Sequence, residues 1–417
     1  MNLKITDIET ITVDVPFLER PGYHMARQLA GWSVFEICKV TTDSGIVGYG
    51  ETTVNYTWGR VGDDQIKRVL GENLFDFLWD DSLGAGLQMA IYDAAGKALE
   101  VPCYRILGER VRDECPISWW AIDMPPDDWA AEAKEAVRQG YKSFKIKGRP
   151  WFDIIEQVQA ISDVVPADFK LDVDFNSFLL DADKALPVLK ELEKFEKVSI
   201  FETPIPQSDV EGNKKIRANI THPIAMHYGS PPIMTALNEE VCDGFVIGGG
   251  ATNVMRQASV AAAADKPFWL QLVGTGLTTA FCVHLGAVCS HAKWPAITCM
   301  NLYADDLLKQ PIEIENNCAH VPEAPGLGFE IDEDSLEKLR VEPPVEKPEP
   351  KWVIAVAWLN GRRTYYANSS AYHQDFSAGN EPIFERGVKL EVIKDDGSKS
   401  FSDLYEQVQN GPVRTMA

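Results

Sequence analysis

Residues 170–204 read KLDVDFNSFLLDADKALPVLKELEKFEKVSIFETP, and this stretch decides the fold. Two short apolar segments, at 170–176 and 198–202, flank a segment in which leucine, alanine and valine recur at helical spacing. This is the pattern of a strand, a helix and a second strand, and such units form a parallel sheet with helices outside. The stretch therefore predicts an α/β fold.

The same unit recurs on both sides of this stretch, from about residue 113 to 310. Eight strands are predicted there, with helical patterns between most of them, at Ile117–Ile122, Ser143–Lys147, Lys170–Asn176, Val198–Glu202, Pro223–Tyr228, Gly244–Gly248, Pro267–Leu272 and Ala296–Asn301. Eight units within about 190 residues favour a closed barrel. A doubly wound open sheet is the alternative, and the lack of a GxGxxG motif after an early strand weighs against it.

Strand and helix patterns also precede the predicted barrel. Residues 3–14 and 33–42 alternate like strands, and Ile46–Glu51 returns after a turn at 42–45. Small and apolar residues then follow at helical spacing near 82–100. The first part of the chain is therefore predicted to contain both strands and helices.

The end of the chain differs from the barrel. Residues 341–351 (VEPPVEKPEPK) are rich in proline and charge and are predicted to be a linker. Residues 346–417 are predicted to form a β-rich extension, with turns at Asn360-Gly361 and Asp395-Asp396-Gly397. No catalytic constellation is visible there, so packing or contact with another subunit is the expected role.

Composition excludes several classes of function. The chain has 417 residues, with 40 Lys and Arg against 62 Asp and Glu, so its formal net charge is −22. Nucleic acids and anionic membranes bind to basic surfaces, and we expect neither as a partner. A local lysine cluster can still bind a small anion. No apolar run is long enough to span a membrane, and the eight scattered cysteines suit free thiols, so we expect a cytoplasmic protein.

The ends of the predicted strands carry the candidate chemistry, because functional groups of βα barrels lie at the carboxyl ends of the strands. Lys145 and Lys147 are two residues apart and point the same way. Two crowded ammonium groups lower each other's pKa, which favours a neutral general base. On the next strand, Asp172, Asp174 and Asn176 share one face.

Asp174 and Glu202 form a second candidate group. They are 28 residues apart, about one βα unit, which predicts that they lie side by side at one barrel rim. Two inward carboxylates need a counter-charge, which is either an oxygen-liganded Mg²⁺ or a structural ion-pair network with Lys145 and Lys147. The spacing alone leaves both interpretations open.

Four further side chains are weaker candidates. His227, followed by Tyr228, ends the fifth predicted strand and could be a third metal ligand or a base, or a packed residue. Asp243 comes just before the sixth strand and could share a proton. Gln271 on the seventh could hydrogen-bond a substrate hydroxyl.

Motifs along the chain resemble the enolase superfamily, and most closely its mandelate racemase/muconate lactonizing group. The resemblance covers about residues 1–340 and rests on the joint order of the motifs. These are a TxxGxxGxGE-like hairpin, an AxxDxxGK-like helix, KxK, VDxN, an EEP-like segment and PGLGxxxD, at Thr42–Glu51, Ala90–Leu99, Lys145–Lys147, Val173–Asn176, Phe201–Pro204 and Pro325–Asp332.

This resemblance implies a modified (β/α)₇β TIM barrel under an α+β capping domain. The capping domain would comprise residues 1–112, completed by about 310–340, and the barrel residues 113–309. The resemblance also implies abstraction of the proton next to a carboxylate, with Mg²⁺ stabilising the resulting enediolate. A small anionic substrate and a homo-oligomer are the expected partners.

The resemblance also assigns roles to individual positions. Lys147 matches the base, with Lys145 beside it, and Asp174 and Glu202 match the first two metal ligands. Asn176 matches a neighbouring polar contact. The stretch that forms the mobile specificity loop of the family contains Tyr23 and His24, which are therefore expected to bind substrate, with Arg27, Tyr56 and Trp58 as further candidates.

The chain departs from the family pattern on the opposite side of the site. The third acidic ligand is replaced by His227 or Tyr228, which puts Mg²⁺ in doubt. Val246 falls at the position of a strand-six lysine, and Gln271 at that of a strand-seven histidine that would pair with an acid near Asp243. The second acid/base arm of a two-base racemase is therefore not visible.

Three functions follow as hypotheses. The first is a lyase that dehydrates an acid sugar or related hydroxy acid, with Lys147 as base and His227 or Tyr228 as general acid. The second is an epimerase or racemase of the same family. The third is a degenerate barrel that binds a ligand or performs metal-free chemistry.

Overall fold

A computed structural model describes residues 3–56 and 59–416 of the chain. The N-terminal part is a three-stranded antiparallel sheet, in the order β1-β2-β3, with helices packed against it. Its elements are β1 (Ile5–Asp14), α1 (Glu19–Met25), β2 (Val34–Thr42), β3 (Val47–Thr53), α2 (Asp63–Val69), α3 (Ala85–Leu99) and α4 (Tyr104–Leu107).

Helix α3 packs closely on strand β3 because two glycines leave room for its backbone. A Cβ atom at Gly48 would collide with the carbonyl oxygen of Ala90, and one at Gly50 with that of Gly86. Any larger residue would push the helix away from the sheet. These contacts explain in physical terms why the hairpin motif has glycine at positions 48 and 50.

Asp93 ties this helix to two other motifs. Its buried carboxylate accepts hydrogen bonds from the backbone N–H of Tyr49 (2.9 Å) and of Leu327 (2.8 Å). The Lys97 ammonium lies 2.7 Å away on the next helical turn. The hairpin, the helix and the segment 325–328 are thereby held together by one carboxylate, so these motifs are structural.

The central part is a parallel sheet of seven strands in the order β11-β10-β9-β8-β7-β6-β5, with helices between successive strands. A separate pair, β4 with β12, is antiparallel. The elements are β4 (Glu114–Pro116), β5 (Trp119–Trp120), α5 (Pro126–Arg138), β6 (Ser143–Lys147), α6 (Ile154–Ser162), β7 (Lys170–Asp174), α7 (Ala182–Leu192), β8 (Val198–Glu202), α8 (Val210–Arg217), β9 (Ile224–His227), α9 (Ile233–Asn238), β10 (Gly244–Ile247), α10 (Ala251–Ala263), β11 (Phe268–Leu270), α11 (Gly276–Val288), β12 (Cys318–His320) and α12 (Glu333–Leu339).

The sheet curls so that both of its edges contact the segment at residues 296–297. Ala296 forms a parallel bridge with Ile117, and Ile297 forms one with Gln271. The arrangement is TIM-barrel-like, with the apolar core inside and under the helices. The predicted eighth strand at 296–301 is wrong in extent, because Cys299 adopts a left-handed φ of 63° and a short 3₁₀ turn follows.

The extension is a four-stranded antiparallel sheet in the order β15-β13-β14-β16, with two helices. The turn predicted at Asn360-Gly361 joins β13 and β14, whereas Asp395-Asp396-Gly397 leads into a helix. The prediction of β-structure missed both helices, whose N-caps are the side chains of Asn368 and Ser398. The elements are β13 (Trp352–Ala357), β14 (Arg362–Tyr366), α13 (Ser369–Ser377), β15 (Lys389–Lys394), α14 (Lys399–Gln409) and β16 (Val413–Met416).

The extension packs against barrel loops that follow β6 and β7. Trp151, which follows β6, is buried with its indole stacked 5.0 Å from the His373 ring. After β7, the Phe175 ring lies 5.5 Å from that of Phe384. Asp153 accepts a 2.7 Å hydrogen bond from Nε of Arg386. The extension is thus joined to the rim of the barrel that carries the strand ends.

All eight cysteines are free thiols. No helix within residues 3–56 and 59–416 is both long and apolar enough to cross a membrane.

Candidate active site

Three consecutive barrel strands bring the predicted charged side chains together. In the parallel register, Lys147 of β6 lies opposite Asp174 of β7, and Asp174 lies opposite Glu202 of β8. Lys145 lies one layer deeper on the same face of β6. The four side chains form one group at the carboxyl ends of the strands, as the spacing predicts, and we name this group the rim cluster.

The Lys145 ammonium is enclosed within the rim cluster, with 1% of its side chain exposed. It lies 2.5 Å from Oε2 of Glu202 and 3.6 Å from Oδ2 of Asp174. It donates a 2.9 Å hydrogen bond to Oε1 of Gln271 and lies 5.1 Å from the centre of the Trp269 ring. Burial disfavours the charged amine, but the two carboxylates outweigh burial, so the pKa of Lys145 is raised.

Lys147 lies nearer the surface of the rim cluster. Its Nζ is 2.5 Å from Oδ2 of Asp174 and donates to Oδ1 of Asn176 at 3.2 Å. The Arg149 guanidinium donates to the same Asn176 oxygen at 2.7 Å. Burial lowers the pKa of Lys147, and the like charges of Lys145 and Arg149 lower it further, against the opposing effect of Asp174.

The same cations act on the Asp174 carboxyl. Burial alone would raise its pKa, but Lys147, Lys145 and Arg149 outweigh burial and hold it well below its usual range. Its Oδ1 accepts a 2.9 Å hydrogen bond from the backbone N–H of Asn176. Asp174 is therefore a carboxylate under all ordinary conditions.

Strand β7 ends at Asp174, two residues earlier than predicted. Asn176 and Ser177 have left-handed φ angles of 45° and 70°, and asparagine tolerates this conformation better than most residues. The turn keeps the Asn176 amide beside Lys147 even though Asn176 is not part of the strand. The predicted contact is therefore present, by a turn instead of a strand face.

Asp172 lies below the rim cluster, opposite Lys145 in the register of β6 and β7. It is buried, and burial raises its pKa to about 7. Near neutral pH this carboxyl therefore holds its proton in part of the molecules.

His227 and Tyr228 lie at the end of β9, the strand whose end carries the third acid in the family pattern. Nε2 of His227 lies 3.1 Å from Oε1 of Glu202, and 46% of the His227 side chain is exposed. Glu202 lies opposite Ala225, so His227 is two residues farther along its strand than the rim cluster. Tyr228 follows it, and burial raises the pKa of the Tyr228 phenol. Both side chains face a cavity.

This cavity, of about 340 Å³, lies between the barrel rim and the N-terminal sheet and helix. Its lining is made of amides, hydroxyls, backbone and apolar groups, together with the His227 imidazole and the Glu51 carboxyl group. Glu51 is buried and is bonded to the backbone N–H groups of Thr275 (2.6 Å) and Thr278 (2.8 Å), and burial raises its pKa. The cavity therefore combines polar and apolar groups and carries little charge.

Gln271 connects the cavity with the rim cluster. Its Oε1 accepts from Lys145, and its Nε2 donates to the Tyr56 hydroxyl at 3.0 Å. Burial raises the pKa of Tyr56. The predicted contact between Gln271 and a substrate hydroxyl stays a prediction, and the position of Gln271 on the cavity wall is compatible with it. Trp58 lies outside the described residues.

The prediction for Asp243 is corrected by the structure. Strand β10 begins at Gly244, so Asp243 lies at the amino end of the strand, opposite the rim cluster. Its carboxylate is bonded to Nε of Arg217 (2.9 Å) and to the backbone N–H of Ile224 (2.9 Å). Asp243 therefore stabilises the far end of the barrel and takes no part in the site.

Tyr23 and His24 also lie apart from the cavity. They are on α1, in a separate cleft against α5, where His24 Nε2 is 2.8 Å from Asp128. Burial lowers the pKa of His24. The Tyr23 ring is covered by the Lys394 ammonium of the extension at 4.9 Å. The structure therefore does not bring these two residues to the rim cluster, and their predicted role in substrate binding stays a prediction.

A buried network beside the site was not predicted. Asp123 accepts hydrogen bonds from Arg27 (2.7 Å), the Trp151 indole (2.6 Å) and Gln28 (2.9 Å). Burial acts to raise its pKa, but Arg27 and Arg149 outweigh burial and lower it to about 2. Asp123 follows the first predicted barrel strand, so the rule of strand ends could have found it.

The implied Mg²⁺ ion does not fit the side chains at this site. Within the described parts of the chain, no three His, Cys, Asp or Glu side chains are grouped to hold a metal ion. The two oxygens of Asp174 are matched by Lys147 and an N–H group, whereas those of Glu202 lie 2.5 Å from Lys145 and 3.1 Å from His227 without a hydrogen bond of good geometry among the described residues. The carboxylate charge is already balanced by neighbouring cations.

A family model described as enolase C-terminal domain-like matches residues 128–335, half of the chain and most of the barrel. The chain belongs to the enolase superfamily. The model is that of the mandelate racemase/muconate lactonizing group, as the motifs indicate. The retained residues of the rim cluster lie within the matched range.

Known members of the superfamily with different activities are similar to this chain at low identity. D-gluconate dehydratase of Thermoproteus tenax is 26% identical over 66% of the chain and 60% of its own length. N-succinyl-L-Arg/Lys racemase of Bacillus cereus is 26% identical over 73% of the chain and 90% of its own length.

A solved superfamily structure, muconate cycloisomerase of Pseudomonas fluorescens, has 25% identity and a TM-score of 0.65. The match covers 81% of this chain and 99% of that structure. About a fifth of the present chain therefore lies outside the matched fold.

Proposed function

We propose that this enolase-superfamily protein is a lyase that removes water from a monocarboxylate with an uncharged hydroxylated chain, such as an acid sugar. The observation that carries the proposal is the missing second base of a two-base racemase. Lys145 and Lys147 end β6, whereas the two positions that the family pattern gives to that second base carry Val246 and Gln271, neither of which can accept a proton from carbon. One base supports elimination, and inversion needs two.

Lys147 is the proposed base. Its lowered pKa makes the neutral amine available at a smaller rise in pH than for an ordinary lysine. In the reaction, the proton on the carbon next to the carboxylate passes to Nζ of Lys147. The electron pair of that C–H bond moves toward the carboxylate, and in this proposal the positive charge of Lys145 stabilises the developing negative charge.

His227 is the proposed general acid, with Tyr228 as the alternative. The C–O bond on the next carbon breaks, and the oxygen leaves as water with the proton from His227. The enol that remains becomes a 2-keto-3-deoxy acid by gaining a proton at carbon and releasing the proton of its enol hydroxyl to solvent. The position of His227 at the cavity wall, within 3.1 Å of Glu202, supports this assignment.

The cavity supports the proposed substrate class. A dicarboxylate such as muconate needs a second positive site, and His227 is the one basic side chain on the described cavity wall. A substrate with a cationic end, as the name of the Bacillus cereus racemase indicates, needs a free carboxylate. Glu51 is already bonded to two backbone N–H groups. An uncharged hydroxylated chain suits the amides and hydroxyls that remain.

A second candidate is ligand binding without turnover. It is favoured by the ion pair between Lys147 and Asp174, because a base held in this way has first to lose its proton. In this case the acid sugar would bind to the site and no product would form.

The test is a set of acid sugars, including gluconate, galactonate and arabinonate, incubated with the purified protein and assayed for a 2-keto acid. Formation of a 2-keto-3-deoxy acid by the wild-type protein and its loss in Lys147→Ala would support dehydration. Inversion of configuration without loss of water would replace it by epimerisation. Saturable binding of an acid sugar without product would favour the second candidate.

A further inference from the structure

The Lys145 ammonium has the surroundings of a bound cation. It lies between two carboxylates, at 2.5 Å from Glu202 and 3.6 Å from Asp174, and an amide oxygen of Gln271 is its third oxygen neighbour at 2.9 Å. The face of Trp269 is on a further side. Two carboxylate oxygens, an amide oxygen and a closed apolar side are what a protein offers to a resident metal ion.

The charges around Lys145 leave no room for a divalent ion. Asp174 and Glu202 supply two negative charges. Lys145 and the buried Arg149 already supply two positive charges, before Lys147 is counted. Adding a divalent cation would leave at least two uncompensated positive charges in a buried site, and burying unpaired charge is strongly unfavourable.

The replacement of the family's third acid at the end of β9 also disfavours a divalent ion. An acid at position 227 would supply a third negative charge and a third oxygen ligand. His227 supplies neither, and its Nε2 lies 3.1 Å from Oε1 of Glu202. The change at one strand end and the position of the ammonium on another therefore point to the same conclusion.

We propose that the Lys145 ammonium takes the place of the divalent cation in this site, so that the protein holds its anionic ligand without a metal ion. The identity of that ligand rests on the proposed function, but the absence of metal binding does not. Metal binding is measured without substrate, so a failed dehydration screen and a failed metal test are distinguishable.

The experiment is a titration of the purified, chelator-treated full chain with Mn²⁺, followed by electron paramagnetic resonance, which separates free from bound ion. The variants are Lys145→Met, His227→Asp and their combination, with Lys142→Met as the matched control. Lys142 is on the loop that enters the same strand and is half exposed beside Asp168. Thermal melting with and without Mn²⁺ is the second readout, since a ligand that binds the native state raises the melting temperature.

We expect no saturable Mn²⁺ binding by the wild-type protein or by Lys142→Met at low millimolar concentration, and no change in their melting temperatures. The combined variant should bind one Mn²⁺ at least about tenfold more tightly than wild type, and Asp174→Asn in that background should abolish binding. One Mn²⁺ bound by the wild-type protein and lost in Asp174→Asn would overturn the proposal. So would a folded combined variant that binds no ion, because charge would then not be what excludes the metal.

Discussion

Nζ of Lys147 lies 2.5 Å from Oδ2 of Asp174, and both groups are at the ends of neighbouring parallel strands. The contact both positions the amine and opposes its loss of a proton. Burial and the neighbouring cations act in the other direction and lower the pKa of Lys147. The balance between these effects decides how the site responds to substitution and to pH.

Replacing the base should abolish proton abstraction. For Lys147→Ala we expect a loss of at least about a hundredfold in the exchange of the substrate proton next to the carboxylate, because positioned bases contribute about 10²–10⁴-fold. Exchange with D₂O is followed by NMR. Lys142→Ala, before the start of the same strand, should exchange at the wild-type rate. An equal loss in both variants would assign the effect to the strand and remove Lys147 from the role of base.

The pH profile should depend on Arg149. Activity needs neutral Lys147, so kcat/KM should rise with pH through a pKa below that of an ordinary lysine. Arg149→Met removes a like charge and should move that pKa upward, so that the profile shifts to higher pH. An unchanged or downward-shifted profile in a folded Arg149→Met protein would contradict this assignment.

His227 should affect loss of water more than loss of the proton. In His227→Asn, exchange of the substrate proton with D₂O should continue while 2-keto acid formation falls by about tenfold or more. The comparison of the two rates in one NMR experiment measures this. If both rates fall equally, His227 does not act as the acid of a separate step.

Asp123 should be a determinant of stability. Asp123→Ala leaves the buried Arg27 guanidinium without its carboxylate, which costs about 3–5 kcal/mol for buried pairs. Denaturant unfolding at neutral pH measures the change. In Asp128→Ala, where the carboxylate paired with His24 is 39% exposed, we expect a loss under about 1 kcal/mol. Similar losses in the two variants would contradict a special role of burial.

The Asp123 carboxyl group should produce a distinct acid transition in the stability of the protein. Its pKa is lowered from 3.8 to about 2, so its contribution to stability is present above about pH 4 and is lost as pH falls toward 2. A shift of this size corresponds to about 2 kcal/mol. Between about pH 4 and pH 2, the free energy of unfolding of the wild type should therefore fall by about 2 kcal/mol more than that of Asp123→Ala. Parallel curves for the two proteins would contradict the assignment.

The sequence predicts the rim cluster well because two local rules act together. Residues two apart share a strand face, and parallel strands align their carboxyl ends, so Lys145, Lys147, Asp174 and Glu202 could be placed before the fold was known. The prediction for Asp243 was wrong because the second rule holds only for residues at the carboxyl end of a strand. Asp243 precedes its strand, and at that end of the barrel Arg217 neutralises it.

Other features depend on contacts between distant parts of the chain, which no local pattern records. The pairing of Asp123 with Arg27 and Trp151 joins three segments that are far apart in sequence. The position of α1 against α5, which removes Tyr23 and His24 from the site, is likewise set by tertiary packing. The two helices of the extension were missed for a different reason. Their capping residues, Asn368 and Ser398, are visible in the sequence, but the prediction of β-structure did not take them into account.

The packing of the extension on Trp151 and Phe175 has an evolutionary consequence. These residues belong to the loops that follow Lys147 and Asp174, and in barrel enzymes such loops usually diversify freely while the strands stay constant. Here a change in either loop also has to suit His373 or Phe384. New specificities in this lineage are therefore expected to arise on the cavity wall that contains Tyr56 and Gln271. No contact of the extension with these two side chains is found among the described residues.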